Sequence, residues 1–369
     1  MTPLTIYLCY GHIPHTTAVY FEKAFRELGH RVYYVGPPYR SKSGFEINVD
    51  VSDLIKDGMP EPDLFLFIET GRPFFPRGIE FLSCPTACYL IDVHLNFKIR
   101  ERYAPFFDYL FVAQRDYVGR FKKSGYENAF WLPLACDSEI HMQRNEPKLY
   151  DVGFVGHIIK GSKREVFLNR MSRICRMNDF TYRYPKEDIA KVYSQSRIVF
   201  NESINGDLNM RVFEGLCSGS LLVTEKIENG QGELFREKGA IVEYKTIEEA
   251  EALIRYFLQD AGERETIARI GHELVLAGHT YQHRCAEIIA QVFTENPKQS
   301  AKVRMMSFKD IRKAYLEVWT GFGHDVIDPV FDEFGKLHGT GTFKGIRLVL
   351  KALNRRFRKI RKERRKGPH

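Results

Sequence analysis

Short apolar runs alternate with helix-like segments over the first third of the chain. The runs that we predict as strands are LTIYLCY (4–10), RVYYVG (31–36), DLFLFIE (63–69), TACYLID (86–92), DYLFVAQ (108–114) and AFWLPL (129–134). Between them, segments such as TTAVYFEKAFRELGH (16–30) place apolar residues three and four positions apart, which is typical of amphipathic helices. This alternation predicts a mostly parallel sheet with helices on both faces.

The same alternation begins again after a polar stretch, CDSEIHMQRNEPKLYD (136–151), which we interpret as a linker. The predicted strands that follow are YDVGFVGH (150–157), FTYRYP (180–185), RIVFNES (197–203), LLVTE (221–225) and GAIVEY (239–244). We therefore predict an α/β fold with two Rossmann-like domains, 1–140 and 149–294, which face each other across a cleft. Extra helices follow at 295–340, and a basic amphipathic tail occupies 341–369.

Length and composition narrow the class of protein. At 369 residues the chain is long for one hydrophobic core, and its 44% hydrophobic content is that of an ordinary globular protein. The N-terminal MTPLTIYLCYGH lacks the basic start of a signal peptide, and no apolar run reaches the roughly 18 residues that span a bilayer. The seven cysteines lack zinc or disulfide spacing, which favours reduced thiols and a cytoplasmic protein.

The positive charge is concentrated at the C-terminus. Residues 341–369 hold 12 of the 55 Lys and Arg residues and one of the 47 acidic residues, so the rest is close to neutral. This distribution argues against a nucleic-acid-binding core. The tail has one apolar helical face, formed by Ile346, Val349, Leu350, Leu353, Phe357 and Ile360. Such a helix can lie on an anionic membrane, here the inner membrane face, or pack its apolar side on the body of the protein.

The stretch NMRVFEGLCSGSLLVTE (209–225) carries the most specific chemical signal. Its apolar residues form one face of a short helix that leads into a buried strand, whereas Asn209, Arg211 and Glu214 lie off that face. Polar groups at the start of such a helix face the carboxyl edge of the sheet, where ligands bind in α/β folds. A surface helix with ordinary charges is the alternative.

Four segments together resemble a known enzyme family. DVGFVGH (151–157), YSQSRIVFNES (193–203), NMRVFEGLCSGSLLVTE (209–225) and HTYQHR (279–284) occur in the order typical of GT-B glycosyltransferases. They most resemble the group-1 retaining enzymes, in the branch typified by CgeB-like spore-maturation proteins. The likeness implies transfer of a hexose from a nucleoside-diphosphate sugar to a glycan, a lipid-linked acceptor or a protein. It does not extend beyond about residue 295, and the first half matches only in architecture.

The resemblance assigns the ribose contact to the second domain. Glu214 takes the position of a family Glu that accepts hydrogen bonds from the ribose hydroxyls. Asn209 and Arg211 precede it and are expected to offer an amide and a cation to the sugar or the phosphates. An ion pair with Glu214 is the competing account for Arg211.

The loop GHIIKGSKR (156–164) is expected to contact the diphosphate. The family places a basic residue after the glycine and a lysine before the following helix, and this chain offers Gly156, His157, Lys163 and Arg164. Lys163 or Arg164 would offset the charge of the leaving group. A solvated run of surface charges is the alternative.

Two further positions concern the base and the sugar. Tyr184 ends a predicted strand and is expected to stack on the base, although plain loop packing would also explain it. Gly206 stands where the wider family has a Glu directed at the donor sugar, so backbone N–H groups can approach the ligand there. This departure leaves the identity of the donor sugar open.

The first domain contributes two loops. Gly11 and His12, with His15 nearby, follow the first strand and are expected to meet the acceptor or the phosphates. In LIDVHLN, Asp92 and His94 follow another strand two positions apart. By the resemblance, His94 lies under the donor sugar and is the catalytic candidate, and a hydrogen-bonded His at a capped strand end is the alternative.

The sequence predicts a reaction without a metal. It has no Asp-x-Asp motif, so Lys, Arg and helix N-terminal amides would neutralise the leaving group. No cofactor is implied apart from the nucleotide sugar itself, with UDP or GDP as the expected nucleotide. Retention follows from the resemblance, and Asp92 is the nearest general base if the reaction inverts.

Three other classes compete with this interpretation. A sugar-nucleotide epimerase of the same fold would need further carboxylates in the cleft. A non-catalytic nucleotide-sugar-binding protein would bind donor without hydrolysing it. A nucleic-acid-modifying transferase would use the basic tail on DNA, and its binding would depend on salt.

Overall fold

The structure, a computed structural model, describes residues 2–13, 16–36, 50–56, 58–71, 74–295 and 301–322. These residues form two compact units. The N-terminal unit contains the described residues up to Ala113, Tyr117–Trp131 and those from Ile288 onward, and the C-terminal unit contains Gln114–Asp116 and Leu132–Glu287. His15, the predicted helix at 329–339 and the basic tail lie outside the described residues.

Each unit is built on its own parallel sheet. The strands of the described residues are β1 (Thr5–Cys9), β2 (Arg31–Val35), β3 (Leu64–Ile68), β4 (Thr86–Leu90), β5 (Tyr109–Val112), β6 (Ala129–Trp131), β7 (Tyr150–Gly153), β8 (Ser196–Asn201), β9 (Leu221–Glu225) and β10 (Val242–Tyr244). Their order is β2-β1-β3-β4-β5-β6 in the N-terminal sheet and β10-β9-β8-β7 in the C-terminal sheet. Strands β1, β3, β4 and β5 are buried along their whole length, which explains their continuous apolar runs.

Helices connect these strands. They are α1 (Thr17–Glu27), α2 (Val51–Lys56), α3 (Phe97–Glu101), α4 (Arg115–Lys123), α5 (Lys163–Met171), α6 (Lys186–Ser194), α7 (Met210–Cys217), α8 (Gln231–Leu234), α9 (Ile247–Gln259), α10 (Ala261–Gly278), α11 (Tyr281–Ala290) and α12 (Phe308–Phe322). None of these twelve helices has both the length and the apolar content that a membrane crossing requires.

The last helix of the described residues, α12, belongs to the core of the N-terminal unit. On α12, Tyr315 and Trp319 are fully buried in a cluster with Phe75 and Phe106. Asp108 holds the segment before α12, because its carboxylate accepts from the backbone N–H of Ala301, from Arg304 and from Thr86. The helical segment predicted as an extension thus completes this core over its described residues.

The C-terminal sheet lacks one predicted strand. FTYRYP (180–185) forms no strand, and the segment before it contributes only an isolated bridge from Met177 to Val152. The reason is a local turn: one carboxylate oxygen of Asp179 accepts from both the backbone N–H and the hydroxyl of Thr181, and Pro185 is then the N-cap residue of α6. The strand prediction was therefore wrong.

The stretch predicted as a linker, 136–151, is built into the C-terminal unit. Cys136 forms an isolated β-bridge with Thr280 through backbone hydrogen bonds. The carboxylate of Asp137 accepts from the backbone N–H groups of Glu139 and Ile140. His141 is fully buried. Asp137 therefore forms hydrogen bonds to the backbone within this stretch, and the stretch is part of the folded unit, not a free linker.

Candidate functional site

The candidate site lies at the carboxyl edge of the C-terminal sheet. Phe154 and Val155 follow β7, Glu202 follows β8, and Glu225 ends β9. The N-terminus of α7 comes from the loop that follows β8. Because the sheet is parallel, all these residues meet at one edge, the edge at which α/β sheets bind ligands.

Arg211 is held rigidly at this edge. Its Nε donates to the carbonyl of Val155 at 2.8 Å, and its Nη1 donates to Oδ1 of Asn201 at 2.7 Å. The guanidinium lies 4.6 Å above the ring of Phe154. Asn201 is itself fixed by donation to the hydroxyl of Thr224 at 2.9 Å. Every one of these partners is neutral.

Arg211 forms no ion pair within the described part of the chain, so the proposed pair with Glu214 is not present. Gly156 makes room for this arginine, because a Cβ at that position would lie 2.1 Å from Arg211 Nη2. The predicted residues Gly156 and Arg211 are therefore brought together, and the arginine retains an uncompensated positive charge.

The loop before α7 supplies the cap of that helix. Asn209 is the N-cap, and its side chain accepts from the backbone N–H of Arg211 at 3.1 Å. Gly206 has φ +69°, a left-handed conformation that favours glycine, and a Cβ added there would meet no atom within 4 Å. Glycine at 206 is thus explained by backbone conformation, and its backbone is exposed.

Arg164 has a different environment. Its Nε forms an ion pair with Glu202 at 3.0 Å, and both side chains are at least nine-tenths buried. It also donates to the carbonyls of His157 and Glu202. Burial, with the positive charge of Arg211 nearby, lowers the pKa of Arg164, and burial raises the pKa of Glu202. Each of the three side-chain nitrogens of Arg164 therefore already donates to a partner within the protein.

Lys163 is the more accessible of the two predicted cations. It is the first residue of α5, which Ser162 caps, and its side chain is half exposed. Its Nζ lies 2.5 Å from the carboxylate of Glu225. A small cavity of about 90 Å³ adjoins this pair and is lined by His157, Ile159, Ser162, Lys163, Arg164, Glu202 and Ile204.

Glu214 has a buried neighbour that the sequence did not reveal. His141 Nε2 lies 3.4 Å from Glu214 Oε1. His141 Nδ1 accepts from the backbone N–H of Asp137, so in the neutral ring the proton is on Nε2 and points to Glu214. Burial lowers the pKa of His141, against the opposing charges of Glu214 and Asp137. The carboxylate of Glu214 is thereby oriented while remaining partly accessible.

Tyr184 lies in a loop and does not end a strand. Its ring packs edge-on against Tyr182 with centroids 4.9 Å apart, and burial raises the pKa of its phenol. Tyr182 is exposed. The role of Tyr184 in base stacking stays a prediction.

The predicted residues of the N-terminal unit follow its own strands. Gly11 is buried, and its carbonyl accepts from the hydroxyl of Thr70 at 3.0 Å. The ring of His12 packs near those of Tyr10 and Tyr34, with centroids 6.0 and 6.4 Å away. The loop after β1 is therefore an aromatic, hydrogen-bonded turn.

Asp92 and His94 form the turn after β4. Asp92 has φ 51° and ψ 32°, a left-handed conformation that few residues other than glycine adopt. His94 is partly buried, and its Nδ1 has no hydrogen-bond partner among the described residues. The sequence missed the neighbouring buried ion pair of Glu69 and Arg100, at 3.1 Å. Burial raises the pKa of Glu69, and the charge of Asp92 adds to the rise.

Arg284 and His279, in the segment HTYQHR (279–284), have a structural role. Arg284 is buried and donates to the carbonyls of Pro133, Leu134 and Gly278. Its Nη2 lies 2.9 Å from His279 Nδ1. This arginine ties the start of α11 to the segment after β6.

One family model matches the chain. A model described as glycosyl transferase-like matches residues 162–290, which run from the cap of α5 to the end of α11. No curated protein sequence matches the chain.

Several solved structures share the fold. HepE from Anabaena, solved with UDP and glucose, is 12% identical with a TM-score of 0.56 over 78% of this chain and 100% of that one. A glycosyltransferase from Rickettsia africae is 10% identical, with a TM-score of 0.56 over 80% of this chain and 100% of that one. Sucrose-phosphate synthase from Thermosynechococcus elongatus is 10% identical, with a TM-score of 0.55 over 77% and 97%.

These likenesses confirm the predicted fold class: two parallel α/β sheets of the kind found in GT-B glycosyltransferases. The match to residues 162–290 supports the general resemblance on the segment where the sequence motifs lie. The narrower likeness to the CgeB-like branch stays a prediction.

Proposed function

We propose that the chain is a glycosyltransferase whose C-terminal unit binds a nucleoside-diphosphate sugar at the carboxyl edge of its sheet. The observation that carries the proposal is Arg211, a rigidly held cation with neutral partners only, next to Gly156 and one turn before Glu214. Such a cation is pre-organised for an anionic ligand. The family match to residues 162–290 supports the same edge of the unit.

Three side chains bind different parts of the donor. Glu214 accepts hydrogen bonds from the ribose hydroxyls, and Arg211 binds a phosphate. Lys163 provides the second cation when its ammonium leaves the carboxylate of Glu225 and binds the diphosphate. Arg164 acts indirectly, because its pair with Glu202 and its bond to the carbonyl of His157 fix the loop that borders the cavity.

The chemistry we propose is transfer of a hexose to a glycan, a lipid-linked acceptor or a protein. The bond between the anomeric carbon and the diphosphate oxygen breaks, a glycosidic bond forms to an acceptor oxygen, and the proton of the acceptor hydroxyl passes to the departing diphosphate. Arg211 and Lys163 offset the charge on the diphosphate, consistent with a metal-independent reaction in a chain without an Asp-x-Asp motif. We propose retention, with His94 and Asp92 of the N-terminal unit as the catalytic candidates.

UDP-sugars are the first donors to test. HepE was solved with UDP, with UDP and glucose, and with UDP-glucose. Calorimetry of the full chain with UDP-glucose and with GDP-sugars, followed by assay of nucleoside-diphosphate release with candidate acceptors, tests both binding and turnover. Binding without release under all conditions would favour a non-catalytic protein.

Glu214→Ala is the variant that tests the location of the site. We expect donor affinity to fall about tenfold, the loss of one or two hydrogen bonds to a charged group, with little change in melting temperature. Glu248→Ala is the matched control, since Glu248 is an exposed helical Glu on α9. Equal donor affinity in the two variants would remove Glu214 from the site.

A further inference from the structure

A second cavity of the C-terminal unit lies at the opposite, amino edge of its sheet. It has a volume of about 450 Å³, within the usual range for small-molecule sites. Its walls include Arg197 near the start of β8, Leu221 at the start of β9, and one face of α10. We call it the amino-edge groove. None of the residues proposed to bind the donor lines it.

The lining of the amino-edge groove is strongly basic. It contains the cations Lys148, Arg197, Arg264 and Arg269, with Glu265 as its one carboxylate. Some of this charge is compensated outside the lining. Arg197 pairs with Asp151 at 3.0 Å, and Arg269 pairs with the exposed Glu273 at 3.0 Å.

The remaining two cations are less well compensated. Arg264 is buried, donates to the carbonyl of Phe257 at 2.7 Å and reaches Glu265 only at 3.5 Å. Lys148 forms no ion pair within the described residues. Its Nζ donates to the carbonyls of Ser194 and Ser196 and weakly to the hydroxyl of Ser220, all neutral acceptors.

The electrostatic potential at Lys148 is therefore positive. Burial lowers the pKa of its ammonium, and the charges of Arg264 and Arg197 lower it further, against a smaller opposing effect of Glu265. Lys148, Arg197 and Arg264 line one cavity and repel each other, and an anion that enters the cavity reduces this repulsion.

We propose that the amino-edge groove binds a small phosphate-bearing anion, independently of the donor site. Phosphate matches the planar, bidentate donor pattern of the arginines and the point charge of the lysine. The proposal does not depend on the glycosyltransferase activity, because every residue that carries it lies on the other edge of the sheet.

The test is calorimetry of the full chain with inorganic pyrophosphate. Because pyrophosphate also resembles part of a nucleotide sugar, the variants must separate the two sites. Lys148→Met should weaken the groove's affinity about tenfold, because it removes a positive charge and the N–H that the Ser220 hydroxyl holds only weakly, at 3.4 Å. Arg269→Gln, whose side chain is 62% exposed, should weaken it about threefold and leave the fold intact.

Two controls make the result decisive. Arg255→Gln changes an exposed arginine of α9 outside the groove and should leave pyrophosphate affinity unchanged. Arg211→Met should weaken binding at the donor site about 10- to 100-fold and leave the groove's binding in place. The proposal is overturned if Lys148→Met and Arg269→Gln bind as the wild type does, if Arg211→Met abolishes all binding, or if only a long polyanion such as heparin binds. Should Lys148→Met fail to fold by circular dichroism, Arg269→Gln decides alone.

Discussion

Two arginines at the carboxyl edge of the C-terminal sheet illustrate two uses of the same side chain. Arg164 is buried against the carboxylate of Glu202, and each of its three side-chain nitrogens donates to a protein partner. Arg211 is partly buried, and its partners are a carbonyl, an amide oxygen and an aromatic ring. The compensated arginine holds a loop in place, whereas the uncompensated one is available to an anion. Charge compensation thus distinguishes the two more clearly than position does.

A third arginine sharpens this distinction. Arg284 also has mainly neutral acceptors, but its side chain is 4% exposed, so a ligand cannot reach it. Neutral partners therefore indicate a ligand site only where the guanidinium also borders accessible space. Arg211 meets both conditions, since it adjoins the exposed Gly156.

The largest expected effect is on stability at the compensated arginine. Arg164→Met leaves the Glu202 carboxylate buried without a partner, so the free energy of unfolding should fall by about 3–5 kcal/mol. Urea unfolding measures it. Arg170→Met on the same helix is the matched control, because its pairs with Glu248 and Glu251 are at the surface and their loss should lower the free energy of unfolding far less. Similar losses in both variants would contradict a structural role for the Arg164–Glu202 pair.

The next effect separates binding from stability at the uncompensated arginine. Arg211→Met should raise the Kd for the nucleotide sugar about 10- to 100-fold, because a pre-organised charge on a phosphate is lost. Its stability should fall less than that of Arg164→Met, since no buried carboxylate is left behind. Calorimetry and urea unfolding of the two variants side by side provide the measurement. A reversed pattern, with donor binding lost in Arg164→Met and retained in Arg211→Met, would refute the comparison.

The sequence predicted most strands because they are buried on both faces and read as apolar runs. It could not separate Lys163 from Arg164, because they are adjacent and the partner that buries Arg164, Glu202, is 38 residues away. His141 was missed because it lies in a mostly polar stretch (136–151), although tertiary packing buries it completely. FTYRYP was misread because alternating aromatic residues favour a strand, whereas the carboxylate of Asp179 closes a turn. In each case a contact distant in sequence, or a local side-chain bond, outweighed the pattern.

A smaller effect is expected at the neighbour of Glu214. His141→Leu removes the Nε2–H that faces Glu214 Oε1, so the carboxylate loses its orienting group. We expect the Kd for the donor to rise about fivefold, less than for Arg211→Met, because Glu214 itself remains. His141→Gln, which keeps a donor, should restore part of the affinity. If both variants bind donor as the wild type does, His141 serves only the packing of the unit.

The smallest expected effect is the pH dependence of stability that comes from His279, the neighbour of Arg284. His279 is buried beside Arg284, and burial, with the charges of Arg284, Lys238 and His283, lowers its pKa from 6.5 to about 3. The unfolded chain therefore binds a proton near pH 6.5 that the folded protein refuses until about pH 3, so stability is full above pH 6.5 and declines as the pH falls. Between pH 7.5 and 6.0 this single residue should lower the free energy of unfolding by on the order of 1 kcal/mol.

His279→Asn isolates that contribution, because the amide oxygen can accept from Arg284 in place of Nδ1 and does not titrate. Urea unfolding of the wild type and of His279→Asn at both pH values gives the difference between their slopes. Burial also lowers the pKa of His141. Its contribution to the pH dependence is the same in both proteins and cancels in this difference. An identical pH dependence in the two proteins would mean that His279 is protonated as readily in the fold as in the unfolded chain, and Arg284 would then need a compensating anion nearby.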